Sequence, residues 1–267
     1  MVLMVFFRSG GFQPPRICMM AFLRWLEAPA TIIVTCMNHP FKIKICGVTS
    51  VDDAQMVAAS KADAIGLNFY PPSKRFVDLA KAQAIVAALA ESKSGLVTVG
   101  VFVNSDVEDI LNASQTLGLD TVQLHGDESP DFLARLISAA DDRGLTLDYI
   151  RAIRTAPQND SEAMDLKEID SEISRWTDAG VGAILIDAAV AGDFGGTGKQ
   201  VDWAGFAKLS SPVPKILAGG LTPDNLDDAI KTAQPDAVDV ASGVESEPGH
   251  KSASKTEAFA KTAHQSL

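Results

Sequence analysis

Residues 42–49 read Lys-Ile-Lys-Ile-Cys-Gly-Val-Thr. A short apolar-rich run ends in a cysteine and a glycine, and from Val51 the apolar residues fall at helical spacing. One strand, one turn and one helix are expected, which is the repeating unit of a parallel sheet. The turn decides as much as the strand does. An open doubly wound sheet usually carries a glycine fingerprint after its first strand, and Cys46-Gly47-Val48-Thr49 has no such run.

Outward from this unit the same pattern recurs. Strand-like runs are expected at 42–46, 64–69, 96–103, 121–124, 147–153, 182–187, 214–218 and 237–241, with helical spacings at 51–60, 79–91, 107–117, 130–140, 166–179 and 223–232. Most runs are apolar throughout, as parallel strands covered on both faces must be. Each unit averages about 28 residues, room for one strand, one helix and two short connections. The expected fold class is therefore α/β, a single (β/α)8 TIM barrel over residues 41–267.

Residues 1–40 read differently. They hold three arginines, one acid (Glu27) and no lysine, and their apolar residues follow no clean period. Their best apolar runs fall far short of the roughly 20 residues that cross a bilayer. Arg16, Arg24 and Glu27 interrupt the order of a signal peptide. This N-terminal extension is read as poorly ordered or as a mis-called start, with Met37 the expected true beginning; a targeting peptide is the alternative.

Composition narrows the function. The formal net charge is −11, from 34 acidic against 23 basic residues, which opposes general binding to nucleic acid. An anionic ligand must then be held by locally placed donors. Cys18, Cys36 and Cys46 are too few for a disulfide scaffold and lack metal-ligand spacing, so a reducing, cytoplasmic setting with no metal is expected. Apolar helix faces would serve a monomer or a homodimer equally.

In a closed barrel the chemistry sits at the C-terminal strand ends. Glycines at Gly219-Gly220 and Ser242-Gly243 follow the seventh and eighth strands, where bare backbone N–H groups can face a phosphate. Thr222-Pro223-Asp224-Asn225 reads as a helix cap with proline at the first helical position. The Gly195–Gly198 loop lacks the P-loop pattern and reads as a mobile or close-approach loop. Cys46 and Asp187 end strands at the mouth and are the expected proton-transfer pair. Positive potential would draw the thiol below about 8.5. Apolar neighbours at Ala183-Ile184-Leu185-Ile186 would raise the carboxyl and suit it to act as an acid. Arg75 could fork onto a carboxylate. His125 reads as a pocket-lining or hydrogen-bonding residue, since no histidine and carboxylate set here has ligand spacing.

Taken together, these segments resemble the phosphoribosylanthranilate isomerase family. The matching pieces are residues 42–49, 68–77, 99–104, Val122-Gln123-Leu124-His125-Gly126-Asp127-Glu128, 185–187, 195–199, 217–221 and Ser242-Gly243-Val244-Glu245, in family order. The resemblance implies an isomerase of tryptophan biosynthesis, acting at the third step from chorismate without a cofactor. It would convert N-(5-phosphoribosyl)anthranilate to 1-(2-carboxyphenylamino)-1-deoxyribulose 5-phosphate by an Amadori rearrangement. It implies Asp187 as acid, Cys46 as base and Arg75 on the anthranilate carboxylate. It implies Gly219, Gly220, Ser242 and Gly243 on the phosphate, with Gln123 and His125 lining the substrate pocket. One departure follows Glu245: Ser252 stands where the family often has an aspartate. The alternatives are a barrel of another phosphosugar pathway and a phosphate-binding module without catalysis. An aldose isomerase of the histidine pathway would place an aspartate at Cys46, and indole-glycerol-phosphate synthase would need lysine and glutamate where Cys46 and Asn68 stand.

Overall fold

The computed structural model describes residues 37–155, 164–188 and 200–267. Eight parallel strands close into a barrel: β1 Ile43–Cys46, β2 Ala64–Asn68, β3 Val97–Phe102, β4 Thr121–Leu124, β5 Asp148–Thr155, β6 Ala183–Ala188, β7 Lys215–Leu217 and β8 Ala237–Val240. Closure is carried by β1, which pairs in parallel with β2 on one side and β8 on the other. The helices between them are α1 Val51–Ala59, α2 Leu79–Ser92, α3 Val107–Leu117, α4 Pro130–Asp142, α5 Leu166–Asp178, α6 Trp203–Lys208 and α7 Leu226–Ala233. A hairpin of β9 Glu245–Glu247 and β10 His250–Lys251 follows β8 and leads into α8, Ala253–Ser266.

Every expected strand is present, with ends shifted by no more than a residue or two. Local signals set the helix starts where they are strong. Ser129 caps α4 by accepting from the Phe132 N–H at 3.2 Å, and Pro130 occupies the first turn, where its missing N–H costs nothing. The cap expected at 222–225 behaves otherwise. Asn225 Oδ1 accepts from the Thr222 N–H at 2.8 Å and its Nδ2 donates to the Gly220 carbonyl at 3.0 Å, closing a separate turn. Helix α7 therefore begins at Leu226, three residues beyond Pro223, and Pro223 is not its first residue.

The strands look uniformly apolar in sequence, yet they sort strictly by parity. On β6, Ile184 and Ile186 join the outer core under the helices, while Ala183 and Leu185 join an inner cluster with Ile150, Ala152 and Ile216. Each fully buried outer Ile or Leu contributes about 1.5–3 kcal/mol, so the helix-to-barrel layer dominates cohesion. The inner cluster reaches the pocket floor at Ala218. Toward the mouth most inward positions are polar or small: Lys44 and Cys46 on β1, Gly66 and Asn68 on β2, Gln123 on β4, Asp187 on β6 and Asp239 on β8, with Val101 of β3 the apolar member beside Asn68 and Gln123. The site is thus placed by the two-residue period of the strand acting at one end of an apolar cylinder.

The lower end is closed by the residues entering β1. Met37 and Phe41 pack on the inner cluster. Asp148 then ties the entry, accepting from the Asn38 and His39 backbone N–H groups at 2.8 and 2.7 Å. Residues 1–36, and with them the reading of the extension, lie outside the described residues, as does the Gly195–Gly198 loop. Among the described residues, no helix is long and apolar enough to cross a membrane.

Candidate active site

A pocket opens at the C-terminal ends of the strands. Cys46, Arg75, Gln123, His125 and Asp187 line it, and Gly219, Gly220 and Ser242 complete one wall. Gly243 stands behind that wall. A Cβ there would come 1.8 Å from the Leu221 carbonyl oxygen, so glycine is what lets the loops after β7 and β8 pack together. Gly219 has φ +77, and a Cβ on it would sit 2.8 Å from the Ala188 nitrogen and 3.0 Å from Asp187 Oδ1. The glycine loop and the carboxyl at the end of β6 are therefore in direct contact.

Asp187 is buried, with 5 % of its surface exposed, and both of its oxygens have polar neighbours. The Ala188 N–H donates to Oδ1 at 2.8 Å, and His125 Nε2 lies 3.5 Å from Oδ2. Of the apolar residues preceding it, Ile184 and Ile186 turn outward into the helix layer, while Ala183 and Leu185 lie below it on the inward face. His125 is oriented in turn by Gln123, whose Nε2 lies 3.0 Å from Nδ1. That contact on one ring nitrogen leaves the other, Nε2, on the side of Asp187.

Cys46 is partly exposed on the pocket floor. Packing around its sulfur pushes the thiol above its ordinary range; the Lys44 ammonium pulls against this, and the Asp239 carboxylate adds to the rise. The sequence-based expectation of a thiol drawn below that range is not met, because burial outweighs the nearby cations.

Arg75 reaches the pocket from the loop after β2. That loop is shaped by Asn68, whose Oδ1 accepts from the Tyr70 N–H at 2.8 Å and whose Nδ2 donates to Ser73 Oγ at 3.2 Å. The guanidinium is already forked onto a carboxylate of the chain itself. Its Nε and Nη2 donate to Glu245 Oε1 and Oε2, each at 2.7 Å. Three of its five N–H groups remain for another partner. Glu245 is held from the other side by Lys251, whose Nζ donates to Oε1 at 2.8 Å and to the Cys46 carbonyl at 2.7 Å. Burial alone would raise the Glu245 carboxyl, but the two cations outweigh it and leave it below its ordinary range.

The pocket thus gathers Cys46, Arg75, Gln123, His125, Asp187, Gly219, Gly220 and Ser242 from the sequence reading, with Gly243 supporting the wall. The reading gave no role to Lys44, Asp239, Glu245 or Lys251. Strand parity was the available signal for two of them, since Lys44 and Asp239 each lie two residues before a mouth position. Arg151, in the middle of β5, faces outward, stacked 4.4 Å over the Trp176 ring and bonded to Glu128 at 2.8 Å. Ser252, the departure noted in the sequence, makes no side-chain capping bond to α8.

Comparison with known proteins agrees with this geometry. A family model described as N-(5'phosphoribosyl)anthranilate (PRA) isomerase matches residues 43–262. An N-(5'-phosphoribosyl)anthranilate isomerase from Magnetococcus marinus is 42% identical over 218 residues, covering 82% of this chain and 92% of the relative. The crystal structure of phosphoribosyl anthranilate isomerase from Thermotoga maritima superposes with a TM-score of 0.68 at 31% identity, covering 85% of this chain and 100% of that one. Another crystal structure of the isomerase, in complex with reduced 1-(o-carboxyphenylamino)-1-deoxyribulose 5-phosphate, gives a TM-score of 0.64 at 30% identity over 85% of this chain and 100% of that one. With the match running across the whole barrel and through every strand end that lines the pocket, the chain belongs to the N-(5'-phosphoribosyl)anthranilate isomerase family.

Proposed function

We propose that the chain isomerises N-(5-phosphoribosyl)anthranilate to 1-(2-carboxyphenylamino)-1-deoxyribulose 5-phosphate, with Asp187 as general acid and Cys46 as general base. One observation carries this reading: a carboxyl from β6 and a thiol from β1 line one pocket with a glycine-built wall beside them. Ring opening needs a proton on the ribose oxygen, which a protonated Asp187 supplies. As the C1–O bond breaks, the amino nitrogen of the anthranilate moiety becomes a protonated Schiff base at C1, and that cation acidifies the hydrogen on C2. Cys46 as thiolate takes this hydrogen, leaving an enolamine that tautomerises to the ketone.

Binding at both ends of the substrate fixes C1 and C2 between the two groups. The backbone around Gly219, Gly220, Ser242 and Gly243 holds the phosphate, and the unused N–H groups of Arg75 hold the anthranilate carboxylate. Gln123 and His125 line the sugar between them, with His125 as a pocket-lining residue beside Asp187. Ring opening breaks the C1–O bond within the substrate as its oxygen takes the proton, and the later steps move only protons, which is the work of an acid and a base. The test is growth: the gene should restore tryptophan-independent growth to a strain lacking this isomerase, and a Cys46→Ser version should not. Failure of the wild-type gene to restore growth while the protein accumulates in soluble form would remove the assignment.

A further inference from the structure

The steps above give no part to Lys44, although its side chain is 0% exposed in the middle of the barrel. A lysine is almost never buried that far without a partner. Its Nζ donates to Asp239 Oδ1 at 2.9 Å, and the two residues are register partners on β1 and β8. Cohesion is a weak reason for such a pair, because replacing a buried ion pair by apolar side chains of similar volume is often neutral or stabilising.

Location gives a better reason. Lys44 precedes Cys46 by two residues on one strand, so both side chains enter the barrel. Gly66 on β2 is the register partner of Cys46. A Cβ on Gly66 would stand 2.7 Å from Cys46 Sγ and 3.2 Å from Lys44 Nζ. Sulfur and ammonium thus share the space that a side chain on β2 would fill, close enough for the ammonium to act on the sulfur.

We propose that Lys44 is a positioning residue for Cys46: its ammonium, anchored by Asp239 and admitted by the bare backbone of Gly66, aims the sulfur into the pocket and favours its anionic form against burial. This rests on the reading of Cys46 as the base. The other charged groups acting on the sulfur are Asp239 from β8, Lys251 from β10 and Arg75 from the loop after β2. Lys251 and Arg75 are both engaged by Glu245, which leaves Lys44 as the cation directed at the sulfur itself. Burial alone would strip Lys44 of its proton; Asp239 and Cys46 reverse that and leave it above the ordinary lysine range, so it stays cationic.

The test needs no substrate. The full chain is alkylated with iodoacetamide across a pH series, and modification of the Cys46 peptide is followed by mass spectrometry, which separates it from Cys18 and Cys36. In Lys44→Met the midpoint should move to higher pH and the rate at about pH 8 should fall about tenfold or more, with Lys44→Arg recovering part of the loss. The rising limb of kcat/KM should move in the same direction. Should Lys44→Met not fold, with Asp239 left unpaired, Lys44→Met/Asp239→Leu removes both charges. Its midpoint should still rise, because Lys44 acts on the sulfur more strongly than Asp239 does. An unchanged alkylation midpoint in the folded variant would overturn the proposal even if turnover fell. A wild-type protein whose Cys46 titrates as described but which turns over no substrate would instead sink the isomerase reading, so the two failures are distinguishable.

Discussion

Arg75 and Glu245 meet through two hydrogen bonds of 2.7 Å each, joining the loop after β2 to the hairpin after β8 across the pocket rim. A guanidinium held on one edge is presented by the other, so Glu245 orients Arg75 without touching what Arg75 binds. Glu245→Gln keeps the shape and removes the charge. Its KM should rise about tenfold with a smaller change in kcat, a charge-assisted fork being worth roughly 1.5–3 kcal/mol. Steady-state kinetics on the variant checks this; an unchanged KM would remove Glu245 from that role. Arg75→Ala should act in the same direction and more strongly.

The same pair makes stability depend on pH. Burial would raise the Glu245 carboxyl, but Arg75 and Lys251 outweigh it and leave the folded value below the ordinary one. A depressed folded value means the stabilisation is present above the unfolded carboxylate range and is lost as pH falls through the folded value. Thermal unfolding should therefore show an acid-side loss of stability in the wild type that is smaller in Glu245→Gln. Equal slopes below about pH 5 would contradict this.

Cys46→Ser and Asp187→Asn should each lower kcat by more than about 100-fold, the usual scale of a positioned acid or base. Both substitutions preserve size, so the fold should be retained and circular dichroism should match the wild type. Turnover near wild type in either variant would overturn the corresponding assignment.

A base whose proton is held too tightly sets the direction of the pH profile. Burial pushes the Cys46 thiol up, with Lys44 opposing. The base must lose its proton and the acid must hold one, so the two oppose each other in the wild-type profile; Asp187→Asn, which cannot ionise, isolates the thiol, and its residual kcat/KM should rise with pH through neutrality into the alkaline range where the thiol ionises. Measuring that variant between about pH 6 and 10 checks the sign; a residual rate falling across that interval would rule out a thiolate base.

Gly219→Ala tests the wall. The added Cβ would stand 2.8 Å from the Ala188 nitrogen at a φ of +77, so backbone must move and the contact with Asp187 with it. Inorganic phosphate should inhibit the wild type competitively and the variant at least several-fold more weakly, with some loss of stability, about 1 kcal/mol or more. Equal inhibition would place the phosphate elsewhere.

The barrel was legible because covered parallel strands are apolar on both faces, so each run stood out whatever lay at its ends. Two helices did not stand out. Helix α6, Trp203–Lys208, is shorter than two turns, and α8 buries Thr256, Phe259, Ala260 and Ala263, a stripe made mostly of small or polar residues. Cys46, Asp187 and the two glycine pairs were legible from their strand-end positions. The partners of Arg75 and Cys46 were not, because Glu245, Lys251 and Asp239 reach this side of the pocket across sequence separations of 170 to 205 residues, and only closure of β8 onto β1 brings them near. The state of the Cys46 thiol was misjudged for a related reason: cations at the mouth could be anticipated from the sequence, but the desolvation that outweighs them depends on packing.

The central claim is a thiol and a carboxyl exchanging protons with one phosphosugar, and fluorescence reads it most directly. Purified protein mixed with N-(5-phosphoribosyl)anthranilate should make the anthranilate-type emission decay, with 1-(2-carboxyphenylamino)-1-deoxyribulose 5-phosphate accumulating in step, and both Cys46→Ser and Asp187→Asn should slow that decay at least about 100-fold. Emission that holds steady with the wild-type protein, or decays equally fast with either variant, would contradict it.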